Sequence, residues 1–203
     1  MSCTYNLDIG TGEVKPFIEM NTEDLGNSKI LNVLFKPAGW MMESRLRVWL
    51  MNPVRTLRGA GIEPGQTVLE VGCGTGFFTL PAAEMIGPEG CLVAMDALSD
   101  YTKRVSLKVQ TAGLKNVRVI KRDALDTKLQ DASIDKVLLF GVPPFPFLPL
   151  NRLLPEMHRV LKADGTLAVW MFPVSGWIPG AIRRSGLFTD TGKRSGVYNY
   201  RRC

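Results

Sequence analysis

Val68-Leu69-Glu70-Val71-Gly72-Cys73-Gly74-Thr75-Gly76 is the stretch on which the reading of this chain turns. A short apolar run bounded by turn residues reads as a buried parallel strand. It ends in an acid, and glycine follows at every second position. Glycine permits positive φ and lets a ligand come close to the backbone. A helical pattern begins at about Phe77, so the unpaired N–H groups of that helix would point at whatever occupies the turn. The loop reads as a nucleotide-type cofactor loop, and Glu70 narrows the choice of cofactor.

Outward from that loop, strand and helix alternate. Strands are predicted over 67–71, 91–95, 117–121, 134–140 and 166–172, with helices over 76–86, 99–112 and 150–162. Near-continuous apolar strands separated by helices imply a parallel sheet covered on both faces. A short helix is expected over 177–186, and 187–203 reads as two short strands around Gly192–Gly196. Upstream, a helical pattern runs from 40 to 59 and is kinked or split by Pro53. Residues 1–38 are irregular. The expected organisation is an N-terminal segment over 1–40, a candidate lid or in part a disordered tail, followed by one domain over 41–203.

The bulk numbers exclude several classes. With 45% hydrophobic and 22% charged residues, extensive disorder is not expected. A net charge of +6 falls short of the footprint of a dedicated nucleic-acid binder. The excess gathers at the C-terminal end, in Arg183, Arg184, Lys193, Arg194, Arg201 and Arg202, and reads first as the charged edge of a terminal hairpin. The longest apolar stretch, 137–150, is broken by four prolines and cannot span a membrane as a helix. No signal peptide is expected from the N-terminus. Cys3, Cys73, Cys91 and Cys203 form no CxxC pair and have no histidine at metal spacing, so no metal is expected and a reduced cytoplasmic compartment fits.

In a doubly wound sheet, ligands bind beyond the carboxyl ends of the strands at the switch point. Three acids should meet there: Glu70, Asp96 at the end of the second strand and Asp123 after the third, spaced 26 and 27 residues apart. An acid after the second strand accepts ribose hydroxyls in many nucleoside sites, including those for NAD. A dinucleotide loop, however, places its third glycine one position later than Gly76. It also binds a pyrophosphate, which Glu70 would repel. Carboxylates suit a cofactor that carries an amine and a sulfonium centre.

The run Glu70-x-Gly72-x-Gly74-x-Gly76, together with Met95-Asp96, Arg122-Asp123-Ala124 and the segment from Leu154-Pro155-Glu156 through Asp164-Gly165-Thr166-Leu167, resembles the class I S-adenosylmethionine-dependent methyltransferases. The resemblance covers about 40–172 and leans towards the branch of the ubiquinone and menaquinone methyltransferases. It implies an α/β, doubly wound, mostly parallel seven-stranded sheet in the order 3-2-1-4-5-7-6. It implies S-adenosylmethionine as cofactor, with Gly72, Cys73 and Gly74 along its methionine part, Glu70 beneath the loop near the amine and Gly76 closing the turn. Asp96 would hold the ribose, Ala97 would flank the adenine, and Asp123 and Ala124 would read it. Phe140 and Gly141 would face the sulfonium. The implied activity is methyl transfer to a small molecule, and a homodimer is compatible with it. The alternatives are a non-catalytic cofactor-binding module on the same fold and an RNA methyltransferase.

Some residues depart from the pattern or invite a second reading. Val142-Pro143-Pro144-Phe145 stands where enzymes that methylate amines on nucleic acids and proteins carry Asn or Asp before Pro-Pro-aromatic. Val142 cannot accept a hydrogen bond, which disfavours a nucleic-acid target and favours an apolar or small one. His158, the sole histidine, reads as a structural residue before a general base, with Asp123 and Tyr101 as weak candidates beside it. Cys73 reads as a small residue in a tight turn before a nucleophile. Met41, Met42 and Trp49 read as packing before a substrate wall. No catalytic residue is assigned.

Overall fold

The computed structural model describes residues 52–142, 149–171 and 176–203. The expectations for 1–40, for the helical pattern before Asn52 with its Met41, Met42 and Trp49 stripe, and for most of the proline loop lie outside the described residues.

Seven strands form one sheet: β1 (Thr67–Val71), β2 (Cys91–Asp96), β3 (Val117–Lys121), β4 (Ile134–Phe140), β5 (Leu161–Trp170), β6 (Phe188–Arg194) and β7 (Val197–Arg202). Their order is β3-β2-β1-β4-β5-β7-β6. The first five are parallel, and β7 enters antiparallel between β5 and β6. The expected order is therefore the observed one. The described helices are α1 (Pro53–Gly59), α2 (Thr79–Ile86), α3 (Ser99–Thr111), α4 (Leu150–Val160) and α5 (Ile178–Arg184).

Side chains alternate along a strand, and the alternation here divides the core into two layers. Leu69, Val71, Val137, Leu139, Leu167, Val169 and Tyr200 meet Leu153, Leu154 and Met157 of α4 and Ile178 and Ile182 of α5. Val68, Leu138, Phe140, Ala168 and Val197 meet Leu57 of α1 and Phe78, Ala82, Ala83 and Ile86 around α2. Glu70 and Lys136 therefore point towards the α1–α2 layer, in strands whose neighbouring positions are apolar.

Two helix boundaries differ from expectation for clear local reasons. α2 begins at Thr79 rather than at 76, because Gly74 and Gly76 take φ of 51° and 85°, which no α-helix accommodates. α4 stops at Val160, because Leu161 pairs with Ile134 and opens β5 early. At Pro53 the split form of the expectation fits: Pro53 occupies the first turn of α1, and the Asn52 side chain accepts from the Arg55 N–H at 3.1 Å.

α1 rests on the turn of the β6–β7 hairpin. Asn199 of β7 donates to the Gly59 carbonyl at 3.0 Å. A Cβ added at Gly59 would lie 2.5 Å from the Arg194 carbonyl oxygen and 2.9 Å from Ser195 Cβ. Backbone cannot yield to such a contact cheaply. Gly59→Ala should cost about 1–3 kcal/mol of stability, read as a lower urea midpoint with an unchanged m-value.

Candidate cofactor and active site

The glycine loop is tied to the end of β2 by backbone and side chain together. The Met95 carbonyl accepts from both the Gly72 and the Cys73 N–H, at 2.8 and 2.9 Å. Asp96 Oδ2 accepts from the Gly74 N–H at 2.9 Å, and Oδ1 from the Leu98 N–H at 2.9 Å. The loop closes through Gly76 N–H to the Cys73 carbonyl at 2.9 Å, while Lys108 of α3 donates to the Thr75 carbonyl at 2.8 Å. A Cβ at Gly76 would come within 3.3 Å of Val105 on α3. Gly76 thus serves close helix packing as well as the turn.

Glu70 lies under this loop, 2 % exposed, and accepts a hydrogen bond from Thr79 Oγ1 at 2.6 Å. Burial pushes its carboxyl up to about 8; the Thr79 bond opposes the shift and the Asp96 charge adds to it. Sequence reading foresaw Glu70 beneath the loop and missed Thr79 as its partner. A Thr at the first turn of the following helix, on the same sheet face, was the available signal.

Asp96 is also raised, first by burial, with the N–H groups of Leu98, Gly74 and Ala97 holding it back. Burial, followed by the charges of Glu70 and Asp96, drives the Cys73 thiol far above its ordinary range. Cys73 is itself buried in the tight turn, with its N–H and its carbonyl both engaged in the loop's backbone bonds. Cys73 and Cys203 are free. Among the described residues no group of three or more His, Cys, Asp or Glu is placed to hold a metal. No described helix is long and apolar enough to cross a membrane.

Asp123 is 3 % exposed and its Oδ1 accepts from the Leu125 N–H at 2.8 Å. It follows β3 beside Asp96, as the bond from Arg122 N–H to the Asp96 carbonyl at 3.2 Å shows, and Ala124 is buried next to it. Asp96 and Asp123 thus belong to one rim, whereas Glu70 lies below it. Ala97 begins the turn after β2. The Phe140 ring packs edge-on against Phe78 at 4.9 Å in the α1–α2 layer. Gly141, at φ 73°, donates to the Trp170 carbonyl at 2.9 Å. Val142 then folds over the loop: a Cβ at Gly72 would lie 2.6 Å from Val142 Cγ2.

His158 is remote from this rim. It lies near the C-terminal end of α4, with Nε2 3.1 Å from the Cys203 carbonyl and its ring edge-on to Phe188 at 5.8 Å. It joins α4 to the hairpin. Tyr101 is in the first turn of α3.

The methyltransferase domain family matches residues 68–165, the stretch that builds the glycine loop, Asp96, Asp123 and the sheet as far as β5. Residues 68–165 are thus similar to a methyltransferase domain, and the fold is shared with S-adenosylmethionine-dependent methyltransferases. The chain is similar to a demethylmenaquinone methyltransferase of Geobacillus stearothermophilus, 36% identical over 110 residues, which are 54% of this chain and 46% of that protein. The chain thus spans about half the length of the curated relatives it matches. In fold it is similar to a SAM-dependent methyltransferase from Aquifex aeolicus, with a TM-score of 0.72 and 24% identity over 82% of this chain and 96% of that one. It is also similar to the [4+2]-cyclase SpnF, with a TM-score of 0.58 and 19% identity over 68% of this chain and 56% of that one.

The raised carboxyl of Glu70 sets a pH dependence. A group whose folded pKa exceeds its ordinary value of 4.5 gives stability that is complete below 4.5 and lost as pH rises through about 8. Each pH unit in that window costs about 1.4 kcal/mol. Glu70→Gln, which keeps an acceptor for Thr79, should match the parent near the lower limit and exceed it in Tm near the upper one. A parallel Tm–pH curve for the two proteins would refute the buried neutral carboxyl.

Proposed function

We propose that this chain transfers a methyl group from S-adenosylmethionine to a small, apolar acceptor. The observation that carries the reading is the Asp96 carboxylate, fixed by the loop N–H of Gly74 and by Leu98 at the switch point of the sheet. A carboxylate offers about four lone-pair sites. The bonds from Gly74 and Leu98, with the Ala97 N–H nearby, leave capacity for ribose hydroxyls. The chemistry of the remaining residues fits the same group. Gly72 has no side chain where the methionine part would lie, and the N-terminus of α2 carries no side-chain cap, which suits the cofactor's carboxylate. Glu70 beneath the loop would balance its amine.

When bound, the cofactor supplies a methyl group activated by sulfonium. The residues of this chain then have positioning work to do: Asp96 holds the nucleoside, the loop fixes the methionine part, and Val142 and Gly141 wall the exit from the site. Holding donor and acceptor in line in a dry site supplies much of the rate. The small apolar acceptor is supported by Val142, whose side chain lies against Gly72 and offers no hydrogen-bond acceptor to a target amine. Among apolar acceptors, a demethylated quinone is the first to assay, given the relative's name.

RNA as acceptor is supported less well, because part of the basic C-terminal end is engaged in the fold. Arg183 pairs with Asp190 at 3.2 Å, Lys193 lies 4.4 Å from the centre of the Tyr198 ring, and Arg202 donates to the Leu161 carbonyl.

Calorimetry and radiolabelled methyl transfer test the proposal together. The wild type should bind S-adenosylmethionine and label a demethylated quinone in preference to RNA or protein. Asp96→Ala should lose about 1–3 kcal/mol of cofactor binding. Cofactor binding without transfer to any acceptor would make the chain a binding module, and undiminished binding by Asp96→Ala would refute the site.

A further inference from the structure

A second charged site lies away from the cofactor loop, towards the start of β4. Lys136 is 5 % exposed, and its Nζ donates to Thr166 Oγ1 at 2.5 Å. An ammonium carries three donors. The other two have no hydrogen-bond partner among the described residues. Asp135, the next residue, is already engaged by the Thr67 N–H at 2.8 Å and by Lys162 at 2.7 Å. Burial presses the Lys136 ammonium down to about 8. Glu63 opposes the shift, Arg194 adds to it, and Asp135 opposes it.

Arg194, the last residue of β6, brings the second cation to the same place. A Cβ built on Gly61 would lie 3.1 Å from Arg194 Nη2 and 3.9 Å from Lys136 Nζ. The two cationic heads thus converge on Gly61, at φ +68°, which carries no side chain to separate them. A buried ammonium with a guanidinium beside it is costly unless an anion joins them, and Glu63 acts on Lys136 through its charge, with no hydrogen bond between them among the described residues. A dianion with several acceptor oxygens matches an ammonium and a guanidinium at once, and the Thr166 hydroxyl can donate as well.

We propose that Lys136, Arg194 and Thr166 form a binding site for phosphate, either free or as a phosphate monoester, beneath the α1–β1 turn. The site is independent of the methyl-transfer reading. It lies three residues, or about 10 Å along β4, before Leu139, the partner of Val71 at the mouth of the glycine loop.

Thermal unfolding and calorimetry of the full chain test it, with inorganic phosphate and glycerol phosphate set against chloride at equal ionic strength and without S-adenosylmethionine. Saturating phosphate should raise Tm by about 2–4 °C. Arg194→Gln, at an exposed residue, should weaken phosphate binding about tenfold, whereas Glu63→Gln should strengthen it. A response to glycerol phosphate alone marks a monoester site, and an equal response to both marks one for the phosphate group itself. Equal phosphate binding by the wild type and Arg194→Gln would overturn the proposal by placing the anion elsewhere, at the glycine loop for instance. Absence of any phosphate response, with Glu63→Gln lowering Tm, would overturn it by making Glu63 the partner of Lys136.

Discussion

The Asp96 carboxylate and the Met95 carbonyl beside it hold the glycine loop open. Between them they accept the N–H groups of Gly72, Cys73 and Gly74. These amides have left the β1 ladder and have not yet entered α2, so without β2 they would need water or a ligand. Tying them to β2 fixes the loop against a rigid sheet before any ligand arrives. The same bonds leave acceptor capacity on Asp96 facing the crevice. One set of interactions therefore builds the turn and prepares the site, and preorganisation of this kind lowers the ordering cost of binding.

Glu70 shows what that arrangement costs. It occupies a fully buried strand position, opposite Ala94 and Leu138 in the two neighbouring strands, where an apolar residue would be more stable. Its one hydrogen bond to a protein side chain is from Thr79, which fixes the first turn of α2 to the floor of the loop. With Asp96 close enough to disfavour its charge, Glu70 is a group that a cation entering the crevice would ionise. Stability is conceded here in favour of a charge-responsive floor, as expected where a local rule is broken at a functional position.

How much of this was legible depends on what each residue answers to. β1 and β4 could be bounded from apolar runs, because burial on both faces leaves only turn residues to mark the ends. Asp96 and Asp123 followed from the one-unit spacing of the α/β repeat. The start of α2 was misplaced because Gly74 and Gly76 adopt left-handed φ, a choice that composition permits but does not dictate. The end of α4 was misplaced because Leu161 and Lys162 are good helix formers and only the pairing with Ile134 overrides them. The place of Phe140 facing the sulfonium is what the family resemblance implies. Alternation with Leu138 already placed its ring in the α1–α2 layer.

Lys136 follows from the same alternation, and its meaning depends on contacts far away in sequence. A lysine inside Ile134–Phe140 reads as a strand-end charge until α1, Thr166 and the turn after Arg194 close around it. Gly59 and Asn199 explain why they close: the helix cannot leave the hairpin without losing the bond to Gly59, and the missing Cβ lets the two backbones touch. That contact carries Arg194 towards Gly61 and Lys136. The β6–β7 hairpin thus completes the sheet and also brings a second cation beside Lys136. A strand-by-strand reading could not supply this, because the hairpin's register against β5 decides which of its arginines faces inward and which stays in water.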